Sequence, residues 1–358
     1  MTWVAWRQVR TQALVIFGGL ALLAAATVVT GLQIRHVAEG CAATVDCSQL
    51  VGITTSGFTW VELLLRGAAL AMPVITGMFL GAPLIARELE TGTHRMVWTQ
   101  AVSRSRWLAV KVLVVGVVSV LASGLTSWMT TWWFGPDDSW QMDKFVDSIF
   151  SIRDVVPLGY AAFAFAVGVT AGLLMGRVLP AMATTLVTFV AARMVVQLLV
   201  RPRFATPLFY AGAFHPGPGG SVKDGAIPAG SWVADGQIFD PSGHPVQVLR
   251  FGPGDACVAT NTCLNGYTQR VQYQPWTRYW PFQWTETGLF VVLALLLIGF
   301  CFWWINGHRL PGRGAPVARV AAPHAAPRVP DERTARDGHV DGRVPAGSDE
   351  PRLTGVDR

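Results

Sequence analysis

The sequence predicts an all-α polytopic membrane protein: six transmembrane helices, an N-terminal interfacial helix, and a large extracytoplasmic loop between helices five and six. Hydrophobic residues make up 51% of the 358 residues and charged residues only 14%, whereas soluble domains average roughly 25% charged residues. The apolar residues also stand in blocks of about 20 residues, the length that crosses the hydrocarbon of a bilayer. This composition excludes an ordinary soluble enzyme and a wholly disordered chain.

Six apolar segments are long enough to be spans. They are Ala13–Gly31, Gly67–Ile85, Leu108–Trp133, Val155–Met175, Val178–Val200 and Thr287–Ile305. The first follows Arg7 and Arg10, as a signal peptide would. Its apolar run exceeds the usual length of such a segment and further spans follow, so we expect it to be retained.

Basic residues in the short connections predict the orientation, because Lys and Arg concentrate on the cytoplasmic side of membrane proteins. With the N-terminus inside, most of them lie in cytoplasmic connections. Both termini are thus predicted to be cytoplasmic. Only three basic residues are Lys and the others are Arg, and with much Ala, Gly and Pro this is typical of a high-GC bacterium, so the predicted location is a bacterial plasma membrane. The net charge of +6 is interpreted mainly as an orientation signal, with no nucleic acid as a partner.

Four of the five cysteines fall in predicted outer loops, as two pairs with the same spacing: Cys41 with Cys47, and Cys257 with Cys263. An oxidising compartment preserves disulfides. Four cysteines allow three pairings, of which the two local ones are favoured here, and free thiols are the alternative. The spacing does not favour a zinc site.

Two segments differ in composition from the spans. The stretch 201–286 is rich in Gly and Pro but holds Phe, Tyr and Trp, so it is expected to fold as a loop domain within the membrane domain of residues 1–310. Alternating stretches at 246–248 and 271–273 suggest short strands. The aromatic residues before the sixth span are expected to form an interfacial belt, with a re-entrant element as the alternative. Residues 311–358 are predicted to be a disordered cytoplasmic tail.

Enzyme motifs are missing from the sequence. It contains no H-E-x-x-H, no G-x-S-x-G and no phosphate-binding G-x-x-x-x-G-K-[ST]. We therefore expect no catalytic residue, no metal and no cofactor.

Ionisable residues inside spans are costly and mark functional candidates. Arg193 and Gln197 share one face of the fifth span and are candidates for a translocation path, and a snorkelling arginine is the alternative. Glu62 and Arg66 are expected to form a local ion pair, with a substrate site as the alternative. The middle of the predicted spans holds no Asp or Glu, which disfavours a proton-coupled transporter.

Small residues one turn apart predict close helix packing in two spans. They are Gly77 and Gly81 in the second span, and Gly168, Gly172 and Gly176 in the fourth. Packing within one subunit is preferred over a subunit interface.

The connection between the second and third spans carries the most specific pattern. Gly92 can end a helix that extends from the second span. Thr93 can cap a short helix with an apolar side that includes Trp98, and Ser103 can cap the third span. The predicted result is a short helix along the membrane, able to pass force from a soluble partner to two stiff spans.

This pattern resembles the inner loop of ABC transporter permeases of the type-2, drug-export class. That loop runs Glu-x-Glu-x-Gly-Thr, a short apolar helix, Pro-Val-Ser-Arg, and then Gly-Lys or a similar pair. The matching residues are Glu88, Glu90, Gly92, Thr93, Val102, Ser103, Arg104 and Lys111. Ala101 stands where the family usually has Pro. The spacing of Trp3, Trp6, Arg7 and Arg10 also resembles the interfacial helix of that family.

The resemblance implies the permease subunit of an ATP-driven exporter: two six-span subunits, alike or different, surrounded by membrane lipid and served by two separate ABC ATPase subunits. The residues implied in coupling to the ATPase are Glu88, Glu90, Gly92, Thr93, Arg95, Trp98, Ser103 and Arg104. The apolar spans suit a lipophilic substrate. The alternative is an ATP-independent polytopic scaffold or sensor that acts through its outer loop domain.

Overall fold

The computed structural model describes residues 2–40, 53–92, 103–138, 145, 147–214, 227–228, 230–246 and 266–307. This part of the chain is mostly helical and contains six helical segments of 20 to 33 residues that are apolar enough to cross a membrane. They are Arg10–Gly40, Thr59–Thr91, Arg104–Gly135, Val156–Met175, Val178–Arg203 and Trp276–Gly307. The prediction of six membrane-spanning helices is thus confirmed in their length and composition.

Most spans extend beyond the apolar blocks of the sequence, because polar residues at their ends continue the helical hydrogen bonding. The α-helices are Thr2–Gly40, Thr59–Thr76, Ala82–Thr91, Arg104–Asp138, Asp147–Phe150, Val156–Met175, Val178–Val195 and Tyr279–Gly307. Short π-helical segments, Gly77–Gly81 and Val196–Val200, continue the second and fifth spans, and 3₁₀ turns occur at Arg201–Arg203 and Trp276–Arg278.

The N-terminal segment is continuous with the first span. One helix runs from Thr2 to Gly40, and the sequence offers no Gly or Pro before Gly18 that would interrupt it. The interfacial helix expected at the N-terminus is therefore not a separate element, and its position at the membrane surface stays a prediction.

The fourth span is the central helix of the bundle. Within its most apolar window 78% of the residues are buried, against 17% for the fifth span and 22% for the first and sixth. Edge-to-face aromatic contacts join it to the sixth span, with the ring of Tyr160 4.8 Å from that of Phe290. The first, fifth and sixth spans therefore present most of their apolar surface outward.

Glycines bring the second and fourth spans into backbone contact. A Cβ atom at Gly77 would stand 2.6 Å from the carbonyl oxygen of Ala164, and one at Gly168 would stand 2.8 Å from the amide nitrogen of Ala82. Both distances are shorter than real Cβ contacts, so only glycine permits this approach. Gly81 and Gly172 lie in the same contact. The glycines pack within one subunit.

Gly176 has a different role from the other glycines. Its φ of +59° is left-handed, and its N–H donates to the carbonyl of Gly172 where the fourth helix ends. Gly176 ends the helix in a conformation that is strained for a residue with a Cβ. This role differs from the helix packing that its spacing predicts.

A four-stranded antiparallel sheet lies between the fifth and sixth spans, so the all-α class is wrong for this part of the chain. The strands are β1 Leu208–Ala213, β2 Trp232–Phe239, β3 Pro245–Val246 and β4 Thr268–Gln274, in the order β1-β4-β2-β3. Of the two stretches that suggest strands, 271–273 lies in β4. Val246 lies in β3, and residues 247–248 are outside the described residues. Period-two alternation, with Val271 fully buried, favours strand over helix here.

We expect Gly168→Ala to destabilise the bundle by about 1–3 kcal/mol, the usual cost of overpacking a close-packed interior. The added Cβ would press on the backbone of the second span, which cannot yield as a flexible side chain would. The measurement is thermal unfolding of the detergent-solubilised chain followed by tryptophan fluorescence.

Gly299→Ala is the matched control, because a Cβ at Gly299 in the sixth span meets nothing within 4 Å. Equal unfolding temperatures for the two variants would show that the backbone contact between the second and fourth spans does not limit stability.

Candidate functional site

A buried ion pair between Arg201 and Glu286 lies at the end of the bundle that carries the sheet, here called the sheet end. Arg201 Nε donates to Glu286 Oε2 at 2.8 Å, and Arg201 Nη2 donates to Glu286 Oε1 at 2.9 Å. This is the two-pronged geometry that makes an Arg–carboxylate pair strong and directional. The two side chains are 1% and 0% exposed, so the pair is screened from solvent.

Neighbouring groups complete the hydrogen bonding of this pair. Tyr160 of the fourth span donates its hydroxyl to Glu286 Oε1. Arg201 Nη2 also donates to Ser151 Oγ at 3.1 Å, and the guanidinium lies 4.4 Å from the ring centroid of Phe150. The fourth, fifth and sixth spans therefore meet at one neutralised pair of charges.

A second set of hydrogen bonds ties the sixth span to the start of the fourth. Gln283 Oε1 accepts from the Val156 amide at 3.1 Å, while its Nε2 donates to the Phe150 carbonyl at 3.0 Å. Tyr279 donates its hydroxyl to Asp154. These polar side chains fix the rotation of the sixth span.

Hydrogen bonds also fasten the sheet to the bundle. Gln274 Nε2 donates to the carbonyl of Ala205 at 2.8 Å, and Arg278 Nη1 donates to the carbonyl of Thr206 at 2.7 Å. The chain therefore leaves the fifth span and returns to the sixth through neighbouring segments, just beyond the ion pair.

Sequence reasoning missed this site because it placed Arg201 and Glu286 at the two ends of the outer loop. The sixth span was expected to begin at Thr287, whereas the helix that is apolar enough to cross a membrane runs from Trp276 to Gly307 and includes Glu286, which is fully buried. A charge was taken as the boundary of the membrane segment. Four residues around the predicted start of the sixth span are spaced by four, three and four residues. This spacing would have indicated that they share one helix face. The residues on that face are Tyr279, Gln283, Glu286 and Phe290.

A second buried ion pair, between Glu88 and Lys111, lies at the opposite end of the bundle and joins the second span to the third. Lys111 Nζ donates to Glu88 Oε1, and the side chains are 6% and 11% exposed, respectively. Lys111 Nζ also lies 4.7 Å from the ring centroid of Trp107. Glu90, the other acidic residue of the motif, accepts a hydrogen bond from the backbone amide of Val178 at 3.3 Å. This bond connects the second span to the start of the fifth.

The helix ends that flank the connection between the second and third spans have capping geometry. Gly92 ends the second span with a left-handed φ of +74°. Ser103 Oγ accepts the amide of Arg106 at 3.4 Å, just before the third helix begins at Arg104. The remaining expected coupling residues lie outside the described residues: Thr93, Arg95 and Trp98.

Arg193 lies on the fifth span with its guanidinium 5.2 Å from the ring centroid of Tyr160. Its Nε is buried without a hydrogen-bond partner among the described residues. Gln197 lies one turn further along, in the π-helical segment. Arg193 thus adjoins the sheet-end ion pair without joining its hydrogen bonds.

Other expected features lie partly outside the described residues. All four disulfide candidates, Cys41, Cys47, Cys257 and Cys263, fall there, so their pairing stays a prediction. The local pair Glu62–Arg66 forms at 2.5 Å. Across the ranges given above, no group of three or more His, Cys, Asp or Glu residues is arranged to hold a metal ion.

Just over half of the chain is similar to a known protein family. The model of a family described as ABC-2 membrane transporter related matches residues 17–201, which is more than half of the chain. No curated protein and no solved structure matches the chain.

We expect Glu286→Gln to cost the protein about 3–5 kcal/mol of unfolding free energy, because removing one partner leaves the Arg201 charge buried without its counter-ion. The double variant Arg201→Met with Glu286→Met should recover much of this loss, since neither charge is then buried. Denaturant unfolding in detergent measures both.

Glu62→Gln is the matched control, because its partner Arg66 is 32% exposed and a partly solvated pair contributes only about 1 kcal/mol or less. A Glu286→Gln variant as stable as Glu62→Gln would contradict a structural role for the buried pair.

Proposed function

Because this chain belongs to the ABC-2 membrane transporter related family, we propose that it is the membrane permease subunit of an ATP-driven ABC exporter. A separate ABC ATPase subunit hydrolyses the ATP, and the permease converts its movement into translocation of a lipophilic substrate. Membership of the family supports a multi-pass transporter permease that associates with an ABC ATPase component. Export, the substrate class and the mode of coupling are proposals.

The observation that carries the coupling proposal is the buried Glu88–Lys111 pair. It joins the second and third spans at the two ends of the segment 93–102, which connects them. Separating the two charges would leave each buried without its partner, which costs free energy. A force applied to that segment therefore moves both spans together instead of spreading them apart.

The contacts of the second span give this movement a route through the bundle. Glu90 links the second span to the start of the fifth, and the glycine contact links it to the fourth. Close-packed backbones shift as rigid bodies rather than deforming. Movement at the opposite end would therefore reach Tyr160 and the sheet-end ion pair.

The proposed assembly has the ATPase at the cytoplasmic, opposite end and the sheet on the outer side of a bacterial plasma membrane. A second permease subunit, identical or different, completes the transporter, with lipid around both. Arg95 and Arg104 are proposed to meet acidic groups of the ATPase, and Trp98 to be a buried anchor of that interface. Arg193 and Gln197 are proposed to line the translocation path.

Replacement of residues 93–102 by a Gly-Ser linker of equal length should abolish recruitment of the ATPase. The tagged chain is purified from membranes of cells that also express candidate ABC ATPase subunits from the same organism. The co-purifying ATPase is then measured by immunoblot and ATP hydrolysis. The expected result is loss of both signals with normal membrane insertion.

The control replaces residues 215–224, between β1 and β2, with the same linker, and it should keep the ATPase. If the 93–102 replacement still recruits the ATPase, this segment is not the coupling element. If the unaltered chain binds no ABC ATPase at all, the ATP-independent scaffold or sensor becomes the better interpretation.

A further inference from the structure

Among the described residues, no carboxylate forms an ion pair with Arg193. It lies within the span Val178–Arg203, and burial leaves its Nε without an acceptor. Its guanidinium carbon lies 5.2 Å from the centroid of the Tyr160 ring. An ionised side chain inside a span is expensive unless it is paired, and an aromatic face offsets only part of that expense.

The nearest carboxylate is already occupied. Both oxygens of Glu286 accept hydrogen bonds from Arg201, and Oε1 also accepts from the Tyr160 hydroxyl. Glu286 is therefore engaged by Arg201 and Tyr160, and it forms no ion pair with Arg193. An anion bound at Arg193 would have to come from outside the described residues.

The surroundings of Arg193 indicate what kind of anion fits. Gln197, one turn towards the sheet end, has no hydrogen-bond partner among the described residues, so its amide can add a donor. On the other side, Leu186 and Val190 lie seven and three residues before Arg193 and therefore on the same helix side. They are 40% and 44% exposed, which gives an open apolar stripe.

We propose that Arg193 and Gln197 bind the anionic head group of an amphiphile, a carboxylate or a phosphate, whose acyl chain lies along Leu186 and Val190. The donors lie close to the sheet end, at the level of Tyr160, where a head group can enter from the membrane boundary. The site does not depend on the ATPase. If the proposed permease function holds, the bound amphiphile is also a candidate for the transported molecule.

The test measures thermal unfolding of the purified, delipidated full-length chain in an uncharged detergent. Four probes are added: oleate and dioleoylphosphatidylglycerol, which are anionic, and oleyl alcohol and dioleoylphosphatidylcholine, which carry no net charge. At least one anionic probe should raise the unfolding temperature, because a ligand that binds only the folded state stabilises it. The two uncharged counterparts should not. Oleate and the phospholipid separate a free carboxylate from a membrane lipid as the source of the anion.

The stabilisation should be lost in Arg193→Gln and kept in Arg193→Lys, which preserves the charge. Arg270→Gln is the control for general attraction of anions, because Arg270 is an exposed arginine on β4, and it should respond as the unaltered chain does. Absence of any shift, a shift with the uncharged probes, or a full shift in Arg193→Gln would each overturn the site. So would dissociation of a stable dimer by Arg193→Gln, because the counter-ion would then be a carboxylate of a second copy.

Discussion

A buried arginine and a buried glutamate that bond to each other determine how the sheet end of this protein is assembled. Arg201 and Glu286 come from segments 85 residues apart in the chain, and neither can be buried alone at acceptable energy. Their pairing fixes where the fifth span ends, how the sixth span is rotated and where the chain leaves and re-enters the bundle. The position of the sheet follows from this ion pair, because the sheet lies in the segment between Arg201 and Glu286.

Two features hold the fourth span at the centre of the bundle: its hydrogen bond to the buried ion pair and its glycines. At its start, Tyr160 completes the hydrogen bonding of Glu286. Further along, Gly168 and Gly172 let the second span approach to backbone contact. One helix thus carries both the polar anchor of the sheet end and the tight packing that leads to the opposite end. This continuity supports a transporter that relays movement along its length.

The two ends of the bundle use buried charge differently. The Glu88–Lys111 pair joins spans that are consecutive in sequence and brackets a short connection. The Arg201–Glu286 pair closes a long segment that contains the sheet. Arg193 is a third case, a charge placed beside a satisfied pair with no acceptor of its own among the described residues. This difference is the reason why we propose a ligand site at Arg193 and not at the two ion pairs.

Sequence alone determined the features that depend on local composition and periodicity. The six spans follow from apolar blocks of sufficient length. The helix-end roles of Gly92 and Ser103 were predictable, because helix ends require particular backbone conformations and capping side chains. The strand at 271–273 was predictable from its alternating pattern. The family resemblance rested on such a local pattern, and a match over residues 17–201 bears it out.

Only the tertiary structure decided what the charged residues inside the bundle do. From the sequence alone, Glu286 is interpreted as the edge of a span, because burying an unpaired carboxylate is costly. The sequence does not show that Arg201 is its partner. Likewise the motif residue Glu88 is bonded to Lys111 within the chain. The energy of a buried charge depends on which distant group lies within hydrogen-bonding distance, and that distance is set by folding.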